Sequence, residues 1–347
     1  MVYTESYIDG LRKACSSLDL SKFKNKSILV TGASGLVGSA LCDVLLQANL
    51  QYQLEMDLYF CGRNLDRLKK RFAYWCGEGW SAVQYDALKS LDFKFHSDYI
   101  FHCASNAHPK AYTESPVETI TTNVTGTANI LSYARETRAS RVLYVSSSEV
   151  YGSRESDEPY RESDYCLVDP LVSRSCYPNS KRTCETLCAS FRAEYAVDFV
   201  IVRPGHIYGP MATAADTRAH AQFAREAAEG RDIVMKSPGD QLRSYMHGTD
   251  CAEAMLLVML NGVSGEAYNV GIPGFSCTIR QLADALAAAG GVSIINDFPS
   301  EIERRGYNPM SCSALDCSKL AQLCFRPIYT LGSGAASSVL GLRGSKV

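Results

Sequence analysis

Residues 27–38 read SILVTGASGLVG, an apolar run that leads directly into three glycines spaced three residues apart. Residues 39–48 then carry apolar side chains at helical spacing. A strand, a glycine turn and a helix in this order allow a tight turn and bring a pyrophosphate close to the helix N-terminus. The segment therefore predicts a dinucleotide-binding unit. The residues expected to contact the cofactor there are Gly32, Ser34, Gly35, Leu36, Val37 and Gly38.

Strand and helix patterns alternate through the following hundred residues. Apolar strands are predicted at 58–61, 99–103 and 141–146, and helices at 65–74 and 117–135. This alternation predicts an α/β fold with a doubly wound parallel sheet of the Rossmann type.

The pattern loosens after residue 200, where helices are predicted at 219–229, 250–260 and 279–289. We therefore expect a smaller, mixed C-terminal lobe that binds substrate. The predicted organisation is a polar helical leader at 1–26, a dinucleotide-binding domain at 27–202, and a mainly substrate-binding lobe at 203–347 whose chain can return to the sheet.

The composition excludes several classes of partner. The chain of 347 residues has 35 Lys and Arg against 37 Asp and Glu, so it lacks the basic field that nucleic acid or an anionic membrane requires. The longest apolar run, Met255 to Leu260, is too short to cross a bilayer. The 14 cysteines form no Cys-x-x-Cys pair and no signal peptide precedes them, which predicts reduced thiols in the cytoplasm. The scattered histidines predict no metal site.

A second signal is the pair Tyr177 and Lys181, which share one face of a predicted helix. An adjacent ammonium lowers the pKa of a phenol, so the tyrosinate can act as a base near neutral pH. The spacing alone carries no weight, because Tyr85 and Lys89 repeat it. Position distinguishes Tyr177, since it comes after a strand that ends in Ser146-Ser147-Ser148-Glu149 at the carboxyl edge of the sheet.

Several motifs in fixed order resemble the extended short-chain dehydrogenase/reductase family, which includes nucleotide-sugar epimerases, dehydratases and decarboxylases. The resemblance covers roughly residues 27–325. It rests on TGASGLVG at 31–38, FHCAS at 101–105, NVTGTANIL at 123–131, YVSSSEVYG at 144–152, YPNSK at 177–181, RPGHIYGP at 203–210 and LRSYMHGTD at 242–250.

The resemblance implies a catalytic triad and a mechanism. Tyr177 would take the proton from a sugar hydroxyl, usually at C4, while hydride passes to a nicotinamide. Lys181 would hold the nicotinamide ribose and tune Tyr177, and Ser147 would complete the triad. The partner implied is a nucleotide-diphosphate sugar.

Glu149 bears on the step that comes after the oxidation. The 4,6-dehydratases have Asp-Glu where this chain has Ser148-Glu149, which puts dehydration in doubt. UDP-glucuronate decarboxylases have Thr-Ser-Glu, which Ser147-Ser148-Glu149 is similar to. Two departures weigh against a direct transfer: Asn179-Ser180 replaces their Glu-Gly, and their carboxylate-binding Arg has no clean match, although Arg304 and Arg305 lie nearby.

The resemblance also implies binding residues. Those expected at the substrate are Tyr112, His206, Arg218 and Arg243, with Glu149 among the catalytic groups. Further cofactor contacts are expected from Arg63, Asp86, Ala104 and Pro204, besides Tyr177 and Lys181. An acidic residue at the end of the second strand would favour NAD, whereas Arg63 could face the 2′-phosphate of NADP. We expect NAD, because family members that recycle their cofactor mostly use it.

The sequence therefore predicts a redox-neutral enzyme on a nucleotide sugar, with epimerase, decarboxylase and dehydratase as alternatives in that order. A net C4 dehydrogenase and a non-catalytic cofactor-binding scaffold also remain open. The family resemblance implies a homodimer formed through helices near 117–135 and 176–195.

Overall fold

The computed structural model describes residues 3–77, 79–107, 109–213, 216–297 and 312–343. Its strands are β1 (Ser27–Thr31), β2 (Asp57–Gly62), β3 (Trp80–Gln84), β4 (Tyr99–His102), β5 (Arg141–Val145), β6 (Phe199–Pro204), β7 (His206–Tyr208), β8 (Ile233–Met235), β9 (Leu242–Arg243), β10 (Tyr245–His247), β11 (Ala267–Val270), β12 (Cys277–Thr278), β13 (Ile294–Asn296) and β14 (Cys312–Ser313).

Its helices are α1 (Glu5–Ser16), α2 (Leu36–Tyr52), α3 (Leu65–Arg71), α4 (Pro109–Glu114), α5 (Pro116–Thr137), α6 (Cys176–Tyr195), α7 (Ala219–Ala228), α8 (Gly248–Asn261), α9 (Ile279–Gly290), α10 (Ser318–Gln322) and α11 (Leu331–Arg343). Helix α3 ends three residues before the predicted Tyr74, because the chain tightens there into a 3-10 turn that buries Trp75.

Seven parallel strands form the central sheet in the order β11-β6-β5-β4-β1-β2-β3. The order reverses between β1 and β4, which leaves a crevice at their carboxyl ends where ligands of doubly wound sheets bind. The predicted fold class is confirmed.

Helices cover both faces of this sheet, which explains why its strands are continuous apolar runs. Ile28 and Val30 of β1 pack in the cluster that holds α2 and α8, whereas Leu29 packs with α5 and α6 on the opposite face. The alternation of side chains along a strand thus assigns one helix pair to each face.

Helix α1, which we expected to be part of a polar leader, is amphipathic and belongs to the core. It buries Tyr7, Leu11 and Cys15 and packs against α2 and α8. Its anchor is the fully buried carboxylate of Asp43 on α2, which accepts the Tyr7 hydroxyl at 2.9 Å and the Arg71 guanidinium at 2.6 Å. The Trp75 indole donates to the same carboxylate at 3.0 Å.

The segment beyond residue 203 serves two structural units. Helices α7, α9 and α11 enclose a separate apolar cluster around Phe223 and Leu282, with β8 and β13 at its edge. The chain also returns to the central sheet, because β11 pairs with β6 and α8 packs against α2. None of the described helices is long and apolar enough to cross a membrane. All 14 cysteines lie within the described ranges as free thiols.

Candidate active site

The glycine turn after β1 has the geometry that a close approach of backbone requires. Gly32 has φ of +66°, and a Cβ there would lie 2.8 Å from the backbone N of Ala104. A Cβ on Gly38 would lie 2.4 Å from the Gly32 carbonyl oxygen. Gly35 is the N-cap of α2 and has no side chain to bond to the first turn. The N–H groups of that turn therefore remain available to an anion. Ser34, Leu36 and Val37 share this turn.

The loops after the neighbouring strands converge on the same edge. The backbone N–H of Ala104, after β4, donates to Thr31 Oγ1 at 3.2 Å. Pro204 ends β6 and is buried. Arg63 and Asp86 follow β2 and β3 and line one cleft of about 460 Å³. The Arg63 side chain is 70% exposed and lies 3.6 Å from Glu118, so it reaches solvent at the end of β2.

Tyr177 and Lys181 occupy the first turns of α6 and are both buried. Ser147 and Tyr112 lie close enough to the Tyr177 hydroxyl for both to lower its pKa. The Lys181 Nζ lies 5.8 Å from the centre of the Tyr177 ring and donates to the Val145 carbonyl oxygen at 2.7 Å. The structure therefore brings the three predicted triad residues together.

The pKa values differ from the expectation that the ammonium would make Tyr177 a base near neutral pH. Burial and the charge of Glu149 raise the pKa of Tyr177 to about 12, and Ser147 opposes this only in part. Burial also lowers the pKa of Lys181 to about 8. The physical reason is that both groups lie in a dry interior in which each charged form is disfavoured.

Glu149 lies beside the triad and is held by Arg174. Its carboxylate accepts from the two terminal nitrogens of the guanidinium at 2.6 and 3.1 Å. The same guanidinium lies 5.2 Å from the centre of the Tyr112 ring, which stacks on Tyr177 at 4.5 Å. This arrangement connects Glu149 to the predicted base Tyr177, and the role of Arg174 in it was not anticipated from the sequence.

The predicted anion-binding residues lie on β7, on β9 and at the start of α7. Arg243 is buried on β9, and His206 on β7 lies 5.4 Å from the Tyr245 ring. Arg218 is paired with Asp216 at 2.5 Å and holds the pKa of that carboxyl at about 2, although burial alone would raise it. The charge of Arg218 also lowers the pKa of Tyr177, so Arg218 lies close enough to the triad for its charge to act there.

A hydrogen-bonded chain that the sequence did not reveal fixes the start of α6. Ser105 donates to Asn123 Oδ1 at 2.8 Å, and Asn123 Nδ2 donates to Ser180 Oγ at 2.8 Å. Ser180 in turn donates to the Tyr177 carbonyl oxygen at 2.9 Å. Asn123 is the first residue of the NVTGTANIL motif, so its position in that motif was the available signal. Ser180, which departs from the decarboxylase pattern, thus has a structural partner.

The chain belongs to the NAD dependent epimerase/dehydratase family, whose model matches residues 28–271. UDP-glucuronic acid decarboxylase 6 of Arabidopsis thaliana is 36% identical over 274 residues, which cover 78% of this chain and 77% of that protein. UDP-glucuronic acid decarboxylase 1 of Xenopus tropicalis is 31% identical over 82% of this chain and 66% of its own length.

Solved structures agree on the fold. DesIV, a dTDP-glucose 4,6-dehydratase from Streptomyces venezuelae solved with NAD, matches with a TM-score of 0.77 and 25% identity, over 92% of this chain and 98% of its own. UDP-glucuronic acid 4-epimerase from Bacillus cereus, in complex with UDP-glucuronic acid and NAD, matches with a TM-score of 0.75 and 21% identity, over 92% and 99%. The second likeness concerns the fold alone.

These findings confirm the predicted family and its class of enzyme, the nucleotide-sugar epimerases, dehydratases and decarboxylases. The NAD dependence of the family agrees with the predicted cofactor. The individual roles of the site residues stay predictions. Arg304 and Arg305 lie outside the described residues.

Proposed function

We propose that this protein is an NAD-dependent lyase that decarboxylates UDP-glucuronate. The observation that carries the proposal is the position of Glu149, whose charge acts on Tyr177 while Ser148 stands where the dehydratases have an aspartate. The curated relatives, which are UDP-glucuronic acid decarboxylases by name, support the same reaction.

The residues present fit NAD. The Lys181 ammonium has three N–H groups but only one acceptor among the described residues, the Val145 carbonyl oxygen, so it can also hold ribose hydroxyls. The open first turn of α2 at Gly35 suits the pyrophosphate. Arg63 and Asp86 would lie near the adenosine end, and the exposed Arg63 leaves room for NADP as a weaker alternative.

Bound NAD would supply the reversible hydride transfer at C4 of the sugar, and a carboxyl group β to the resulting ketone can leave as carbon dioxide. Tyr177 would take the proton from the C4 hydroxyl, with Ser147 sharing the hydrogen bond. Because burial raises the pKa of Tyr177 to about 12, its ionisation needs a positive charge nearby, which Lys181 would supply. Glu149 would accept a hydrogen bond from the sugar or from water beside C5.

The substrate lobe would bind the nucleotide diphosphate through Arg243, His206 and Arg218, with Tyr112 against the sugar. We place the protein in the cytoplasm as a homodimer. The apolar side chains of Val117 and Ile120, exposed on α5, support the dimer. Light scattering of wild type and Val117→Glu would test it, since a monomer in both would contradict the assignment.

The reaction is tested by incubating the protein with UDP-glucuronate, UDP-glucose, dTDP-glucose and GDP-mannose, each with NAD or NADP. Mass spectrometry and NMR identify the products. Loss of carbon dioxide from UDP-glucuronate is the expected result. An unchanged mass with an inverted centre would make the protein an epimerase instead, loss of water a dehydratase, and accumulating NADH a net dehydrogenase.

The assignment of Tyr177 and Glu149 needs variants of each. Tyr177→Phe should bind NAD normally and lose about 10²–10⁴-fold in turnover, the usual contribution of a general base. Glu149→Gln should lose decarboxylation and keep NAD affinity. Full activity of either variant would contradict the role given to that residue.

A further inference from the structure

His220 is a buried histidine to which the sequence analysis gave no role. It lies in the first turn of α7 and is 3% exposed. Its ring lies 6.2 Å from the ring of Tyr245, which His206 approaches at 5.4 Å from β7. Two imidazoles from different elements of the substrate lobe therefore lie near one tyrosine.

The imidazole of His220 lacks a hydrogen-bond partner where one is needed. Its Nε2 is buried and has no partner among the described residues, and the same holds for Nδ1 of His206. A buried polar atom left in this state keeps an uncompensated desolvation cost. Such atoms in native proteins commonly mark the place of a ligand or an ion.

The charges around His220 select the kind of group that is missing. Arg218, Arg225 and Asp216 act on His220, and Arg243 and Arg218 act on His206. Burial and these guanidinium groups lower the pKa of His220 to about 3, so its ring is neutral and one nitrogen carries a proton to donate. With its proton on Nε2, the neutral ring would donate to an acceptor, and the excess of positive charge favours an anionic one.

The position of this histidine pair connects it to the catalytic residues. Arg218 acts electrostatically on both histidines and also on Tyr177 and Tyr112. The Arg218 side chain is 30% exposed, so a ligand can reach it from solvent. An anionic group at His220 would therefore lie within the field of the same guanidinium that acts on Tyr177.

We propose that His220 is a substrate-binding residue that donates a hydrogen bond to the diphosphate of the nucleotide sugar, together with His206. The proposal rests on the proposed function for the nature of the substrate. It adds a residue that neither the family motifs nor the spacing in the sequence indicated. Because the donor is neutral, it holds the phosphate by geometry and adds little to the long-range field that Arg218 and Arg243 supply.

The test uses the NAD-bound protein and two ligands, UDP and uridine, which differ only in the diphosphate. Calorimetry measures UDP binding to wild type, His220→Leu and His220→Gln, and NMR measures uridine. His220→Leu should bind UDP about 10- to 100-fold more weakly, the value of a hydrogen bond to a charged acceptor. His220→Gln retains an N–H donor and should recover most of the loss. Uridine affinity should stay within about twofold.

His247→Leu is the matched control. His247 is fully buried, has an unpartnered Nε2 within the described part of the chain, and has a pKa of about 3 because of burial alone. Its ring packs 4.0 Å from Tyr329, outside the influence of Arg218. This variant should keep the UDP affinity of wild type, which shows that losing a buried imidazole in this lobe is not sufficient.

Two results would overturn the proposal: an unchanged UDP affinity in folded His220→Leu, or an equal loss for UDP and uridine. A wild-type protein that binds no UDP would overturn it as well. These outcomes are separate from the proposed function. If the affinities behave as expected but no UDP-sugar is converted, the proposed reaction fails and the role of His220 stands.

Discussion

The free-energy cost of burying Lys181 can be measured from the pH dependence of unfolding. Its ammonium is 2% exposed, and burial lowers its pKa from 10.5 to about 8 in the folded protein. The unfolded chain therefore binds more protons than the folded one between these two values, and stability contributed by this residue rises with pH through that window. Below about pH 8 the folded state carries the full penalty, about 3 kcal/mol at 1.36 kcal/mol per pKa unit.

Lys181→Met removes the titrating group from the same space. The difference in the free energy of unfolding between wild type and Lys181→Met should change by about 2 kcal/mol between pH 7 and pH 9.5, in favour of wild type at the higher pH. The lost hydrogen bond to Val145 shifts this difference by a constant amount, so the pH dependence is the informative quantity.

The assay is denaturant unfolding of protein stripped of NAD, at closely spaced pH values. Taking the difference between two proteins cancels the titration of the tyrosines and cysteines that they share. Lys69→Met, on the exposed surface of α3, gives the baseline for removing a lysine from water. A difference between wild type and Lys181→Met that stays constant from pH 7 to pH 9.5 would refute the reasoning.

Two further predictions concern the glycine turn and the N-terminal helix. Gly38→Ala places a methyl 2.4 Å from the Gly32 carbonyl oxygen. This variant should be destabilised by about 1–3 kcal/mol and should bind NAD more weakly in titrations. Gly332→Ala is the control, because nothing lies within 4 Å of the added methyl, and it should bind NAD as wild type does. Asp43→Asn leaves the Arg71 guanidinium buried without its counter-charge and should lower the free energy of unfolding by about 3–5 kcal/mol in urea. A loss below about 1 kcal/mol would contradict the view that Asp43 neutralises a buried Arg71.

The parts of the fold that the sequence predicted are those set by local patterns. The glycine turn at 32–38 has one strand before it and one helix after it, and periodicity alone places both. Helix α1 shows the limit, since residues 7, 8, 11, 14 and 15 have helical apolar spacing while the segment as a whole reads as polar. Its burial depends on Asp43 and Arg71, which are distant in the sequence.

The candidate site divides in the same way. Tyr177, Lys181 and Ser147 could be named because they stand in ordered motifs that resemble those of the family. The bond between Glu149 and Arg174 could not, because 25 residues of irregular chain separate them and only the packed fold gives their distance. His220 could not be identified from the sequence either, because its burial and the lack of a partner for Nε2 among the described residues are properties of the folded chain.

The amino-acid sequence by itself determined the doubly wound sheet and the glycine turn, because these depend on periodicity and on short spacings along the chain; the triad stays a prediction that the family resemblance implies. The tertiary structure decided the pKa values of Tyr177 and Lys181, the pairing of Glu149 with Arg174 and the surroundings of His220. These properties depend on burial and on charges brought together from distant segments, and they exist only once the lobe has packed against the sheet.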